Sequence, residues 1–392
     1  MKATARKRIY ADHAATTPVR DEVLAAMLPH FGANGFNPSS IHAEGRRARA
    51  ALDDARVRIA RALGAKPREI VFTGSGSEAI NLAVLGVARA CARKQERRHV
   101  ITGATEHYAG LHAVDMLREE GFDVTILPVD ANGEIDPATF ASALRDETAL
   151  VSLMLANNEL GTLHPIGEFA ALAHERGALF HTDAVQAAGR IPLDVCELRV
   201  DLLSLSAHKF FGPKGVGMLY VRSGTTLAPL VAGGGQEHGL RAGTENVAGI
   251  VGLATAFELA LAERVAESER LRALRDRFEV GVLATIPGAR VNAQGAPRLP
   301  HVASVAFEGV DAPTLLIRLD LEGVAVSAGS ACAAGASEPS HVLRAIGSPE
   351  SAARGTIRFS FGRLTGMLEV DDVLAMLPEI VTEVRDEATV LG

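Results

Sequence analysis

Residues 202–215 read Leu202-Leu203-Ser204-Leu205-Ser206-Ala207-His208-Lys209-Phe210-Phe211-Gly212-Pro213-Lys214-Gly215. The apolar, alternating half predicts a buried strand and the Gly/Pro-rich half a turn, with Val216 to Val221 as the strand leading away. The strand delivers one lysine, Lys209, to its own end. Burying an ammonium is costly unless it is paired or gives up its proton. A lysine held that way can attack a carbonyl and form a Schiff base. The plainer alternative is a side chain that snorkels to the surface. Ser206 and His208 alternate with Lys209 and supply polar neighbours, which favours the reactive role.

Upstream, strand and helix patterns alternate. Tyr10 to Pro18 is a polar turn, with Pro18 opening a helix to about Phe31. Gly32 to Ser40 reads as loop. Glu44 to Leu63 is a charged, alanine-rich helix closed by Gly64. Strands are expected at Glu69–Thr73, His99–Thr102, Asp123–Leu127, Ala149–Leu155 and Ala178–Asp183. Helices fall at Tyr108–Glu120, Asp136–Leu144 and Glu168–Arg176. This alternation predicts an α/β fold: a mostly parallel sheet with helices on both faces. Sites in such folds lie at the carboxyl ends of the strands. Four of those ends are polar here: Glu106-His107, Asn157-Asn158-Glu159, His181 through Gln186, and Ser206 through Lys209.

The turn Gly74-Ser75-Gly76-Ser77-Glu78 joins a strand to a helix that starts near Ala79. A strand, a small-residue turn and a helix N-terminus make an anion site, and no Gly-Lys-Ser/Thr follows to make it a nucleotide-binding loop. Beside a Schiff-base lysine, such a turn points to a phosphate-bearing aldehyde as cofactor. Asp183 is then placed to hold a pyridinium nitrogen, Asn158 and Gln186 to bond a ring hydroxyl, and His107 to stack on the ring or shuttle protons. Each has an ordinary alternative as a cap, turn or surface residue; four together are harder to explain that way.

The chain has 392 residues and a net charge of −7. With no basic block, nucleic acid is not an expected partner. Four basic residues between Lys2 and Arg8 precede no apolar core, so the N-terminus does not read as a secretory signal. No apolar run reaches the ~18 residues of a membrane helix. The three cysteines form neither a metal-ligand spacing nor an even disulfide set, and a reducing, cytoplasmic setting is expected.

Val231 to Asn246 is a glycine-heavy loop, too long to be idle. A helix of roughly thirty residues from Glu245 follows as a hinge. Beyond it the pattern changes, with strands near Val302–Phe307 and Val324–Ser327 and a last helix from about Asp371. The expected division is a large domain over 19–262 and a smaller α/β domain formed by 1–18 with 263–392. Ser327 to Ser337 is almost entirely Gly, Ala and Ser, which predicts a mobile loop. It carries Cys332, read as a nucleophile. Cys91 and Cys196 read as small buried hydrophobes.

Nine segments, in order, match a known family: ADHAATTPV (11–19), TGSGSEAINLA (73–83), TEHYA (105–109), NNELGTLHPI (157–166), HTDAVQAAG (181–189), SAHKFFGPKG (206–215), GGGQEHGLRAGT (233–244), SAGSACAAGASEPSHVLRAIG (327–347) and GTIRFSFGR (355–363). From about Tyr10 to Met367 the chain resembles the pyridoxal-phosphate-dependent cysteine desulfurases of the nitrogen-fixation and housekeeping iron–sulfur type, in the class V aminotransferase group. The resemblance implies a fold type I transferase with pyridoxal 5'-phosphate linked to Lys209. Asp183 would pair the pyridine nitrogen, with Asn158 and Gln186 near the ring hydroxyl and His107 over the ring. Gly76, Ser77, Ser206 and His208 would bind the phosphate, and Thr244 the phosphate of a neighbouring subunit, so a homodimer is implied. Arg358 would fork onto the substrate carboxylate, and Cys332 would take the sulfur of L-cysteine as a persulfide and pass it to an acceptor or iron–sulfur scaffold protein. Lys209 would later move protons at the substrate carbons.

Departures from the family pattern are Ser77 for a usual threonine, Ile80 for a usual aspartate, and His13 for asparagine or tyrosine. The chain stops soon after its last helix, without the extension of the housekeeping members, which tilts the likeness to the nitrogen-fixation branch. The alternatives are a selenocysteine lyase, an aminotransferase that needs no thiol, or a non-catalytic sulfur carrier or scaffold partner.

Overall fold

The computed structural model describes residues 8–95, 97–329 and 339–391. Cys332 and the rest of 330–338 lie outside the described residues. A short β1 (Ile9–Tyr10) opens the fold. Seven strands then build the main sheet: β2 (Ile70–Thr73), β3 (His99–Gly103), β4 (Asp123–Leu127), β5 (Thr148–Met154), β6 (Leu179–Asp183), β7 (Leu202–Ser206) and β8 (Gly217–Val221). Their spatial order is β2-β8-β7-β6-β5-β3-β4. Only β8 runs against its neighbours, because the short turn after Lys209 folds it straight back beside β7. The other pairings are parallel, which requires crossovers and accounts for the helices between them.

Both faces of this sheet are covered, and its inner strands β5 and β7 are buried throughout. One face packs under the helix Ala43–Leu63, the helix Ile166–Glu175 and the start of the helix Val247–Thr285. The other packs under the helices Gly76–Gln95 and Tyr108–Glu119. The helix after β2 begins at Gly76, three residues before the sequence pattern placed it, because the Ser75 hydroxyl accepts from the Glu78 amide (3.0 Å) and caps it there.

A second core surrounds an antiparallel sheet in which β10 (Val302–Phe307) lies between β9 (Ala289–Val291) and β12 (Thr356–Ser360). β11 (Val324–Ala325) instead pairs with β1 in parallel. The helix Val247–Thr285, 39 residues and roughly 60 Å long, buries Ile250–Phe257 in the first core and Leu271–Val282 in the second. Among the described residues no helix is long and apolar enough to cross a membrane.

Cys91 is buried, and burial pushes its thiol up. Cys196 is exposed, contrary to the sequence reading. Asp194 accepts from the amides of Cys196 (2.8 Å) and Glu197 (3.2 Å), turning this segment outward instead of letting it pack.

Candidate active site

A cavity of about 420 Å³ opens where the parallel strands end. His107 reaches it just after β3, Asn158 after β5, Asp183 and Gln186 at and after β6, and Ser206, His208 and Lys209 at and after β7. Gly76 and Ser77 enter from the first turn of their helix, and Arg358 from β12. Ten of the expected residues thus share one cavity. Thr244 does not; it is exposed on a separate cleft with Arg241 and Asn246.

Lys209 is half-buried in a single 3-10 turn after β7, and its Nζ donates to the carbonyl oxygens of Ala14 and Ala15 (both 2.8 Å). Gln186 Nε2 donates to the same Ala14 oxygen (3.0 Å), which leaves the Gln186 carbonyl for other partners. Asp183 accepts from the Val185 amide (2.9 Å). Burial raises its carboxyl to about 6, against smaller opposing contributions from that amide and Lys209. His107 caps its helix by accepting from the Ala109 amide at Nδ1 (3.0 Å). Burial lowers its pKa, helped by Lys209 and His112, so the ring is neutral with its proton on Nε2.

Sequence reasoning missed one wall. Residues 12–16 form a strap from the second core across the cavity, and Ala14, Ala15 and Thr16 line it. The strap is tied to β12 by a bridge between Asp12 and Ser360 and by the Ala14 amide donating to Ser360 Oγ (2.9 Å). On the other side, His208 Nδ1 lies 3.1 Å from Thr16 Oγ1. The sequence signal was the run of polar and small residues in ADHAATTPV, but the strap acts largely through backbone oxygens. His13 is buried with its ring edge on Tyr10 (centroids 4.9 Å apart). It fits because position 362 is glycine: a Cβ there would come within 2.1 Å of the ring. Ile80 is buried against the cavity; the structure gives no account of why an aspartate is dispensable there.

The residues fit a phosphate-bearing pyridine aldehyde. Gly76 provides the close approach at the helix start, since a Cβ would sit 3.0 Å from both Ser206 Cβ and Val185 Cγ2. Asp183 is a buried carboxylate that borders the cavity, and Lys209 offers the amine. The cavity volume lies within the ordinary range for cofactor pockets.

Beneath the cavity, His181 bridges three strands, with Nδ1 2.8 Å from Ser152 Oγ and Nε2 2.8 Å from Ser204 Oγ. Burial lowers its pKa to about 3. The unfolded chain therefore takes up this proton first as pH drops below 6.5, and stability from a neutral His181 is lost progressively toward the folded value. His181→Asn keeps a donor and an acceptor between the serines. It is expected to flatten the pH dependence of the urea midpoint between pH 6.5 and 4. An unchanged slope would rule this origin out.

The fold and the site define a class of protein. The class-V aminotransferase family model matches residues 9–373, and the chain belongs to that family. Within it, the chain is 49% identical over 380 residues to the cysteine desulfurase IscS of Dictyoglomus turgidum, covering 97% of this chain and 96% of that one. It is 47% identical over 379 residues to the cysteine desulfurase NifS of Azotobacter vinelandii, covering 96% and 94%. A solved NifS-like protein superposes with a TM-score of 0.90 at 37% identity, covering 96% of this chain and 100% of that one. The structure of SspA in complex with cysteine gives 0.80 at 39% identity, over 91% and 99%.

Proposed function

We propose that this chain is a cysteine desulfurase that takes sulfur from L-cysteine, releases L-alanine and leaves a persulfide on Cys332. One observation carries the reading: a single cavity joins an amine (Lys209), a buried carboxylate (Asp183), a neutral histidine (His107) and a guanidinium (Arg358). That set suits an α-amino acid bound over a pyridine ring.

Pyridoxal 5'-phosphate, held by Lys209 with Asp183, Asn158, Gln186, Gly76, Ser77, Ser206 and His208, would supply the electron sink that makes the substrate Cα acidic. Arg358 holds the substrate carboxylate through its planar fork, a geometry lysine lacks. Lys209 Nζ removes the Cα proton, and His107 carries a proton on Nε2 for the departing or arriving group. The Cys332 thiolate then attacks the substrate sulfur. The S–S bond forms as the C–S bond breaks, the bonding pair goes to carbon, and a proton completes the methyl group of alanine. The exchange balances with no external oxidant.

The same reading assigns Thr244 to the phosphate of a second subunit in a homodimer. It keeps the division into 19–262 and 1–18 with 263–392, sets the enzyme in the cytoplasm, and sends the persulfide sulfur to an iron–sulfur scaffold or another acceptor. The test is product analysis with L-cysteine and a thiol reductant. Wild type should release alanine and sulfide, while Cys332→Ala should bind the cofactor and release neither. Equal release by the variant would remove Cys332 from the mechanism. A cofactor-loaded wild type that releases neither would point to transamination.

A further inference from the structure

Arg358 is only 2% exposed, and its guanidinium is shared. Nη1 donates to the Asn158 carbonyl oxygen (2.8 Å), Nη2 donates to Asp12 Oδ1 (2.9 Å), and the buried Nε has no partner among the described residues. Arg358 lines the cavity, whereas Asp12 is absent from its walls. The carboxylate thus reaches the guanidinium from the strap, and a ligand in the cavity would share that guanidinium with it. Asp12 is itself fixed by its backbone bridge to Ser360, two residues beyond Arg358 on the same strand.

A buried cation without a counter-ion is costly, so the pair serves the resting site. Its consequence appears on binding. A substrate carboxylate becomes the second anion on one guanidinium, and repulsion between the two carboxylates subtracts from the grip. We propose that Asp12 is a positioning and charge-balancing residue for Arg358, setting how tightly the site holds an amino-acid carboxylate and so how readily alanine leaves. An enzyme that held substrate and product carboxylates at full strength would gain affinity without gaining rate. This inference rests on the reading of Arg358 as the carboxylate ligand.

Asp12→Asn keeps an oxygen acceptor for Nη2 while removing the charge. The dissociation constants of L-alanine and of ethylamine, which lacks the carboxylate, would be measured on the cofactor-loaded protein by calorimetry. Asp12→Asn should bind alanine about tenfold more tightly, a modest fraction of the Coulomb interaction of two charges sharing a partner. Its affinity for ethylamine should stay the same. A purely structural role would weaken both ligands alike, and that result would overturn the proposal, as would an unchanged alanine affinity. Arg358→Lys separates the two readings. If it lowers alanine affinity relative to ethylamine while Asp12→Asn changes nothing, only the Asp12 role falls. If wild type and Arg358→Lys treat the two ligands alike, the carboxylate role of Arg358 falls and takes this proposal with it. Should Asp12→Asn not fold, Asp12→Ser supplies the same comparison.

Discussion

Lys209→Ala is expected to lose covalent attachment of the cofactor and roughly three to four orders of magnitude of turnover. Two functions vanish together: the nucleophile that captures the aldehyde and the base that works at Cα. Borohydride reduction followed by mass spectrometry separates this from a folding defect. Wild type should carry the cofactor mass on the peptide containing Lys209, and the variant should carry none there or elsewhere. The fold should survive, since the side chain is half-buried and its two carbonyl partners belong to a strap also held by Ser360 and His208. Label on another lysine of the variant would move the attachment point.

Glu237→Ala is expected to be the most destabilising single change away from the cavity. Glu237 is buried and accepts from Arg56 Nη1 (2.8 Å), Arg56 Nη2 (2.7 Å) and the Phe72 amide (2.8 Å). Arg56 is also buried and stacks over the Phe72 ring at 4.7 Å. Truncation leaves a buried guanidinium without its carboxylate and a strand amide without its acceptor, at a cost of about 3–5 kcal/mol. Glu237 and His238 both have positive φ (45° and 61°), conformations that non-glycine residues adopt only when neighbours hold them. The ion pair thus pins the glycine-heavy loop to β2 and to the helix that carries Arg56. Urea denaturation would measure the loss, and a change under about 1 kcal/mol would show the pair to be solvated instead.

The strands of the main sheet were legible because apolar alternation bounded by turn residues survives in a single sequence, and their boundaries moved by at most one residue. The polar strand ends were legible for the same reason: a fold of this type gathers such ends at one rim, so Lys209, Asp183, Asn158 and His107 could be grouped before any coordinates. Arg358 came from the family resemblance alone, whereas Cys332 was read from its place in a run of Gly, Ala and Ser; no periodicity marks either. The Arg56–Glu237 pair was not legible at all, since 181 residues separate the partners and neither sits in a pattern. The reading of Cys196 failed because a single Asp194 side chain, not hydrophobicity, decides where that segment turns.

The strap constrains Ala14 and Ala15 by size alone. Ala14 and Ala15 hold Lys209 through oxygens that every amino acid possesses, so no side-chain chemistry at those two positions is being chosen for its polarity. What is chosen is smallness: Ala14 is fully enclosed, and both residues border the cavity. A saturation library there should sort by volume alone, with serine and glycine accepted and larger residues rejected whatever their charge.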